Sequence, residues 1–362
     1  MPLSKADTTG GFRPHLKPGE DIARPAHEAL RLDGVLETRL LSPQLHQILL
    51  GMARVRNAIS SFRLEGETVE LDRARQLLDG QAPTGPSEIG VLRLAHAYAE
   101  LAGTKPPDFT VEGVLALHRR LFDGILQDDK GDTRADWVGV LKPEQNYILN
   151  ANTGALRFTP SPPSRTRAEL EQLFAWYQES RFTFLPSVTA ALFFAEFQAI
   201  HPFMDGNGRV GRLINVALLK DLGCTKAPLI PLDTRFFRTS EHYYEFLGTT
   251  NGGSNYYSWT RYFAGQVQDA YKAASKQANL SPLVSVFSRE STRRVLRWVL
   301  AGTGEWFSRG DYPNPSHYSQ PAIWAALDEL KKEGILESKG ERRGRRYRLR
   351  SKFLAEVYAR RF

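Results

Sequence analysis

Apolar residues recur at intervals of three and four along most of the chain, which is the spacing of one helix face. Clear segments of this kind lie at residues 40–62, 89–102, 111–125, 168–181, 187–200 and 209–222. The helix predicted at 187–200 is strongly apolar. In segment 111–125, His118 and Arg119 fall on the polar side of the predicted helix. The pattern therefore predicts a mainly α protein.

Two regions depart from this spacing. Tyr147, Ile148 and Leu149 and then Leu156 to Phe158 flank a turn-like sequence, which predicts a small β-hairpin that ends at the prolines from residue 160 onward. From about residue 280 the helical segments are short, and the one at 320–333 precedes a basic stretch containing Gly340. Two helices followed by a basic hairpin are typical of a winged helix.

The length of 362 residues predicts two or three domains, at roughly 150 residues each. Residues 1–33 are polar and rich in glycine and proline, which favours an irregular N-terminal arm. We place an N-terminal helical region at 34–104, a helical core at 105–279 and a C-terminal winged-helix domain at 280–362. These boundaries follow the changes in hydrophobic spacing.

The C-terminal segment, residues 289–362, differs from the rest of the chain in its net charge. The chain has a net charge of +8, and residues 289–362 contain 17 basic and 9 acidic side chains, so the whole excess lies there. Two readings of its arginines stay open, contact with DNA or a solvated surface. The basic cluster consists of Arg342, Arg343, Arg345 and Arg346.

Cysteine content and the lack of long apolar runs bear on the compartment. Cys224 is the single cysteine, so no intrachain disulfide can form, which is typical of a reducing cytoplasm. No apolar run reaches about 18 residues, and the first residues lack the apolar stretch of a signal peptide. We expect a cytoplasmic protein with no membrane association.

The segment from His201 to Arg212, HPFMDGNGRVGR, contains the strongest chemical pattern. Pro202 disfavours helix at His201, which puts the imidazole at a helix end where it can act as a base near neutral pH. Gly206 and Gly208 allow the backbone to approach an anion closely, and the next helix adds the positive end of its dipole. The pattern predicts an anion site beside a histidine.

Charged side chains narrow the class of anion. Arg209 and Arg212 lie three residues apart on the predicted helix, and their guanidinium groups suit phosphate oxygens. Asp205 offers a hard oxygen ligand for Mg²⁺, the usual companion of polyphosphate. The spacing Gly206-x-Gly208-x-x-Gly211 also fits a dinucleotide fingerprint, but that motif needs a preceding strand, and the segment before it is helical. These residues together predict a nucleotide phosphate site.

The twelve residues resemble the signature of the Fic family, HPFx(D/E)GNGRxxR, and match it at every defined position. The resemblance implies a helical catalytic core at 105–279 that transfers AMP from Mg²⁺-ATP to a Ser, Thr or Tyr hydroxyl of a target protein. His201 would then take the proton of that hydroxyl, and Asp205 would bind Mg²⁺. Phe203 would anchor the loop.

The same resemblance assigns the phosphates. Asn207, with the backbone of Gly206 and Gly208, would hold the α-phosphate, and Arg209 and Arg212 would hold the β- and γ-phosphates. Relatives that phosphorylate carry lysine at the second glycine, and a branch that transfers phosphocholine carries alanine at the first. The two glycines of this chain therefore favour AMP transfer.

Segments outside the signature extend the resemblance to roughly residues 40–270. Ser61-x-x-x-Glu65-Gly66 resembles the inhibitory helix of the family, in which the glutamate pairs with the second arginine, here Arg212. The resemblance thus implies an enzyme that inhibits itself. The hairpin that begins with Tyr147, Ile148 and Leu149 resembles the flap to which a target segment is added as a strand.

One segment departs from the family pattern. Thr239 to Tyr244 lies where many relatives have Asn-Arg before a tyrosine pair, so the contacts to adenine and ribose are not fixed by the resemblance. We assign Tyr243 and Tyr244 to nucleotide binding, with packing in the core as the open alternative.

Three functions remain open at this point. The first is an autoinhibited protein adenylyltransferase. The second is a deAMPylase of the same fold, in which Glu65 positions a water that releases AMP from a modified protein. The third is a DNA-binding regulator whose core senses a nucleotide. A homodimer is compatible with the resemblance, although no residue in the sequence indicates one.

Overall fold

The structure is a computed structural model. It describes residues 3–5, 11–39, 43–103, 108–128, 130–149, 153–250, 255–278, 287–301, 306–314, 316–341 and 344–350. The chain divides into two compact units, which are described separately. The first comprises Met1–Gly34 and Ala53–Ala273, and the second comprises Val35–Met52 and Ala274–Phe362.

Helices dominate, as the hydrophobic spacing predicted. They are α1 (Glu20–Arg39), α2 (Pro43–Leu64), α3 (Leu71–Leu78), α4 (Pro86–Gly103), α5 (Val111–Phe122), α6 (Pro163–Ser180), α7 (Pro186–Ile200), α8 (Asn207–Asp221), α9 (Leu232–Arg238), α10 (Ser240–Gly248) and α11 (Tyr256–Ala278). Within the described residues, no helix is both long and apolar enough to cross a membrane.

The core of the first unit is built around α7, whose residues Ser187–Ile200 are all buried. Helices α6 and α8 pack against it. Trp259 from α11 is fully buried, donates a hydrogen bond to Ala191 O at 2.8 Å, and stacks against Phe194 with ring centroids 5.7 Å apart. Because α7 and α8 flank the signature segment and are rigidly packed, they fix its position.

A small sheet carries the predicted hairpin. Strand β2 (Ile148–Leu149) pairs antiparallel with β3 (Leu156–Thr159), and the short strand β1 (Leu3–Ser4), which the sequence did not indicate, pairs parallel with β3. The strand order is β1-β3-β2. Lys5, directly after β1, lies buried with its Nζ 2.7 Å from Glu196 Oε1.

The expectation of an irregular arm over residues 1–33 is wrong from Glu20 onward, because α1 begins there. Its buried apolar residues recur at helical spacing, and they are Ile22, Ala26, Ala29, Leu32 and Leu36. Pro25 lies inside the helix in its second turn, where it removes a hydrogen bond. Burial of the apolar face outweighs that loss.

The second unit contains α12 (Glu290–Ala301), β4 (Phe307–Ser308), α13 (Gln320–Lys332), β5 (Leu336–Lys339) and β6 (Arg346–Leu349). Helices α12 and α13 pack together, and the antiparallel sheet has the order β4-β6-β5. This is the order of elements that a winged helix needs, and the winged-helix interpretation stays a prediction.

The predicted basic cluster is only partly described. Arg342 and Arg343 lie outside the described residues. Arg345 lies 3.9 Å from the Asp328 carboxylate, and Arg346 is exposed. Contact between this cluster and nucleic acid therefore stays a prediction.

Candidate active site

His201 lies at the C-terminal end of α7 in the left-handed conformation, with φ 52° and ψ 63°. Its backbone N–H donates to Phe197 O at 2.9 Å, and its ring Nδ1 lies 3.2 Å from Gln198 O. Since a carbonyl oxygen only accepts, Nδ1 carries the proton and Nε2 has a lone pair. Burial, together with the nearby charge of Lys142, lowers the pKa of His201 to about 4. The imidazole is thus neutral near pH 7 and able to accept a proton.

Asn207 shapes the loop between His201 and α8. Its Oδ1 accepts from the Phe203 backbone N–H at 2.9 Å, and its Nδ2 donates to Phe203 O at 2.8 Å. Phe203 is fully buried, as expected for an anchor. Because both amide atoms of Asn207 bind the backbone, its side chain closes the loop here, and the backbone N–H groups are what the loop offers to an anion.

His118, predicted to lie on a polar helix side, is instead fully buried beneath the same loop. Its ring stacks on Phe203 with centroids 3.9 Å apart. Gly139 N donates to its Nδ1 at 2.9 Å, so its Nε2 carries the proton and donates to Asp205 O at 3.1 Å. Burial lowers the pKa of His118 to about 4 and keeps it neutral. His118 therefore supports the loop from inside the protein.

Neighbouring side chains leave no room for a Cβ at Gly206 or Gly208. Gly206 has φ 81°, and a Cβ there would come within 2.6 Å of the Phe122 ring. At Gly208 a Cβ would collide with the Glu65 carboxylate and would lie 2.8 Å from Arg212 Nη1. Helix α8 begins directly after Gly206, which provides no side-chain cap. The first N–H groups of the helix, with its positive dipole end, are thus available to an anion.

A cavity of about 310 Å³ brings most of the predicted residues together. That volume is at the small end of the usual range for ligand sites. Its lining includes Glu65, Tyr147, Ile148, Arg157, Phe158, His201, Met204, Asp205, Gly206, Asn207, Gly208, Arg212, Tyr243 and Tyr244. Four other predicted residues, Ser61, Gly66, Leu149 and Arg209, lie outside this lining.

Arg212 is 1% exposed and is bound on three sides. Its Nη2 donates to Glu65 Oε1 at 2.6 Å and to Ser61 O at 2.9 Å, and its Nε donates to Ser61 Oγ at 2.8 Å. Burial acts to lower the pKa of Arg212, but the Glu65 charge outweighs it and the pKa is raised. Gly66, with φ 84°, turns the chain after α2. The end of α2 therefore occupies the guanidinium of Arg212.

Arg209 lies away from the cavity and between two aromatic rings. Its guanidinium is 4.8 Å from the centroid of Phe122 and 5.0 Å from that of Phe62. Its Nη2 donates to Asp205 Oδ2 at 2.8 Å, and its Nη1 donates to Glu67 Oε1 at 2.8 Å. Sequence reasoning missed Glu67, although it lies two residues beyond Glu65. In this arrangement Arg209 neutralises Asp205 instead of facing the cavity.

Tyr243 and Tyr244 both line the cavity, but they differ in burial and in packing. Tyr243 is 1% exposed, packs against Phe236 and Trp259, and lies with its hydroxyl 3.5 Å from Arg212 Nη1. Tyr244 is 39% exposed and donates to Leu64 O at 2.5 Å. Core packing thus accounts for Tyr243, whereas Tyr244 ties the end of α2 to α10.

A buried carboxylate near Arg212 was not predicted. Asp233, on α9, is fully buried and accepts from the Tyr98 hydroxyl at 2.6 Å. Its backbone N–H donates to Asn57 Oδ1 at 3.2 Å. Burial raises the pKa of Asp233 to about 6, although Arg212 counteracts part of this. Asp233 provides Arg212 with a second negative neighbour from within the core.

Part of the chain, including most of this site, is similar to known proteins. Residues 108–219 match the model of the Fic/DOC family. The chain is 29% identical over 200 residues to protein adenylyltransferase Fic of Drosophila yakuba, and 27% identical over 199 residues to protein adenylyltransferase fic-1 of Caenorhabditis elegans. These matches cover 53% and 52% of this chain but only 36% and 35% of the relatives, so the chain spans about a third of their length.

Solved structures show the same fold. A Fic family protein from Desulfovibrio desulfuricans G20 has a TM-score of 0.63 at 20% identity and covers 94% of this chain and 98% of its own. A Fic domain-containing signalling protein from Bacteroides thetaiotaomicron has a TM-score of 0.53, also at 20% identity, over 71% of this chain and 96% of its own. The chain therefore has a mainly helical fold like that of these Fic proteins, as the sequence predicted, and its match to the Fic/DOC family model lies at residues 108–219.

Proposed function

We propose that this chain is a protein adenylyltransferase, which moves AMP from ATP to a Ser, Thr or Tyr hydroxyl of a target protein and is inhibited by its own Glu65. The observation that carries the proposal is the meeting of His201, the N-terminus of α8 and Arg212 at one cavity. The name of the relatives, protein adenylyltransferase Fic, supports the same activity.

The proposed step uses His201 as the base. The target oxygen attacks the α-phosphorus of ATP while His201 Nε2 takes the hydroxyl proton. As the new O–P bond forms, the bond from the α-phosphorus to the oxygen bridging to the β-phosphate breaks, and pyrophosphate leaves with that electron pair. His201 suits this role because Gln198 O fixes the proton on Nδ1 and leaves Nε2 with the lone pair that accepts the hydroxyl proton.

The phosphates are assigned to positive groups at the start of α8. The backbone N–H groups of Gly208 and Arg209 lie in its first turn, where they and the helix dipole favour an anion. The guanidinium of Arg212 suits the terminal phosphate once Glu65 leaves it. Negative charge that develops on the leaving pyrophosphate would thus be stabilised by groups already in place.

Asp205 is the residue that fits Mg²⁺. Its side chain is 44% exposed and lines the cavity, and the Arg209 charge outweighs burial to lower its pKa, so the group is a carboxylate. Mg²⁺ takes one or two carboxylates together with substrate phosphates and waters. When bound with ATP, the ion would neutralise charge on the pyrophosphate. Asp205 would then share its oxygens between the ion and Arg209.

Inhibition by Glu65 follows from where its carboxylate lies. It contacts Arg212, and it also occupies the space directly over Gly208, at the positive end of α8. An ATP phosphate needs the same two positive groups, and it would be repelled by a carboxylate at this distance. ATP would therefore bind, if at all, with its phosphates displaced from the pose that the reaction needs.

The target segment is assigned to the exposed edge of β2. In the order β1-β3-β2 that strand has one edge without a partner strand among the described residues. Tyr147, directly before the strand, is 57% exposed, and Leu149, within it, is 54% exposed. An extended peptide added at this edge would gain backbone hydrogen bonds and would pass the cavity that contains His201.

Labelled ATP tests the proposal. The Glu65→Gly protein would be incubated with Mg²⁺ and ATP labelled on either the α- or the γ-phosphate, alone and with a lysate. We expect the Glu65→Gly protein to give protein-bound label from α-labelled ATP and none from γ-labelled ATP. The double variant Glu65→Gly/His201→Ala should give no label from either. Label from γ-labelled ATP would indicate phosphoryl transfer and would overturn the proposal.

Removal of AMP is a second candidate, because Glu65 lines the same cavity as His201 and would there be able to hold a water. This function predicts that Glu65→Gly abolishes release of AMP from a modified protein. The transferase proposal predicts that the substitution increases AMP incorporation. The two outcomes are opposite in sign, so one variant separates the candidates.

A further inference from the structure

Lys142 holds the loop of His201 from a segment outside the signature. Its backbone N–H donates to Pro202 O at 2.8 Å, and its Nζ donates to Ile200 O at 3.0 Å. Lys142 is only 3% exposed, although it has the strongly hydrated ammonium group that proteins seldom bury. Burial lowers the pKa of Lys142 to about 7. A lysine that is buried in this way indicates that its hydrogen bonds to the loop have a specific role.

Asn146 holds the next part of the same loop. Its Nδ2 donates to His201 O at 3.1 Å and to Phe203 O at 2.8 Å, and its Oδ1 accepts from Lys142 Nζ at 2.8 Å. Lys142 and Asn146 together therefore bind four consecutive carbonyls, those of residues 200–203. We name this pair the loop bracket.

His201 needs such support. It is a non-glycine residue with φ 52°, and this left-handed conformation costs about 1–2 kcal/mol and persists only where the surroundings impose it. The carbonyls at a helix C-terminus also lack intrahelical partners. The loop bracket meets both needs, because it binds the carbonyl of His201 and those on either side of it.

The loop bracket also connects His201 to the hairpin. Asn146 is followed directly by Tyr147, which lines the cavity, and by strand β2. Gln145 fixes the same stretch, since its Nε2 donates to Asn146 O at 2.9 Å and to Pro160 O at 3.2 Å beyond β3. Only Tyr147 and Asn146 therefore separate β2 from the backbone of His201.

We propose that Lys142 and Asn146 are positioning residues, which hold His201 in its left-handed conformation and couple it to the strand on which the target docks. The inference rests on the proposed function, because it assigns His201 the role of base. Neither residue touches the reacting atoms, so their effect is on the placement of the imidazole and not on binding of ATP.

The test uses two variants and one control in the Glu65→Gly background. Asn146→Asp keeps the shape but replaces the donor Nδ2 with an oxygen that faces two carbonyl oxygens. Lys142→Met keeps the chain length and removes the Nζ donor, and it serves if Asn146→Asp does not fold. Glu144→Gln is the control, since Glu144 lies in the same segment but is exposed.

Two readouts are needed, the kinetics of AMP transfer and the ring resonance of His201 in ¹³C-histidine protein, assigned by its absence in His201→Gln. We expect either variant to lower kcat about tenfold or more with KM for ATP changed less than about twofold, as for a misplaced catalytic group. The His201 resonance should shift in both variants and stay in place in Glu144→Gln.

Unchanged kcat and an unchanged His201 resonance in a folded variant would overturn the inference. A rise in KM for ATP at constant kcat would do so as well, because it would place these residues in nucleotide binding. If the Glu65→Gly protein transfers no AMP, the proposed function fails, and the resonance alone still decides whether the loop bracket holds His201.

Discussion

Glu65 and Arg212 form an ion pair with 2.6 Å between Oε1 and Nη2, although 147 positions separate them in the chain. The pair brings the end of α2 to the start of the signature helix. Arg212 is buried and Glu65 is about one-third exposed, so solvent can compete for the glutamate alone. In the proposed reaction the glutamate would therefore be the partner that leaves, and the arginine would stay in place to receive a phosphate.

Shortening Glu65 should release the inhibition in steps. Glu65→Asp keeps the charge but lacks one methylene, so it loses reach to Arg212, and Glu65→Gly loses both. A hydrogen bond between charged groups is worth about 1.5–3 kcal/mol, which corresponds to a rate increase of roughly 10- to 100-fold for Glu65→Gly. The initial rate of AMP incorporation measures it, with Glu65→Asp between the wild type and Glu65→Gly.

Glu70→Gly is the control for that series. Glu70 follows the same helix, is exposed, and lies 3.6 Å from Arg63. We expect its rate to equal that of the wild type. Activation by Glu70→Gly to the same extent would mean that loosening the segment, and not freeing Arg212, raises the rate.

Removal of the Tyr98 hydroxyl should show how strongly its hydrogen bond to the buried Asp233 stabilises the fold. The Tyr98 hydroxyl donates to the buried carboxylate of Asp233, so Tyr98→Phe leaves that group short of a partner and should lower the free energy of unfolding by about 2–3 kcal/mol. Tyr244→Phe removes a bond to Leu64 O from a part-exposed hydroxyl and should cost about 1 kcal/mol. Urea unfolding of both variants measures the difference. Equal losses in the free energy of unfolding would contradict the expectation that the buried hydrogen bond of Tyr98 is the stronger one.

Asp233 should also affect the pH dependence of stability. Burial raises its folded-state pKa to about 6, above an unfolded value of about 3.9, so its contribution is fully present below about pH 4 and is lost as the pH rises through 6. The difference of about 2 pKa units corresponds to roughly 3 kcal/mol. Relative to the wild type, Asp233→Asn should therefore gain about 2 kcal/mol of stability between pH 4.5 and pH 7, because the rest of the difference falls below pH 4.5.

Urea unfolding at several pH values checks this, with the exposed Asp79→Asn as the control. The control should follow the wild type at every pH. A stability difference between Asp233→Asn and the wild type that does not change with pH would show that Asp233 is ionised throughout, held so by Arg212.

Asn207 offers a test of loop closure without nucleotide. Because both of its amide atoms bind the Phe203 backbone, Asn207→Ala should lower the free energy of unfolding by about 2–3 kcal/mol in the absence of ATP. Asn207→Asp keeps the acceptor for Phe203 N but loses the donor to Phe203 O. Its free energy of unfolding should therefore lie between those of the wild type and Asn207→Ala. An unchanged stability in both variants would place the side chain in phosphate binding only.

The sequence predicted the helices correctly where a local pattern of apolar residues, prolines or glycines determines the structure. The buried helix α7 follows from its apolar run, the end of that helix at His201 follows from Pro202, and the start of α8 follows from the two glycines. The contact between Glu65 and Arg212 was predicted from a resemblance in two separate segments. Neither segment alone would have placed the two side chains together.

The residues that were missed have no periodic signal. Lys142 and Asn146 lie in an irregular stretch, and their partners lie almost 60 positions away along the chain. Asp233 and Glu67 read as ordinary surface charges, because the sequence does not show which carboxylates are covered. Helix α1 was missed because the polar residues, glycines and prolines of residues 1–33 favour irregular structure, whereas the burial that overrides this composition depends on tertiary packing.

The most direct test of the account is AMP incorporation from α-labelled ATP and Mg²⁺ by the Glu65→Gly protein, compared with Glu65→Gly/His201→Ala. The account predicts that the single variant labels itself or a protein of the lysate, that the wild type does so weakly, and that the double variant does not label at all. Equal label with and without His201 would contradict it, because the base that the geometry assigns would then have no part in the reaction.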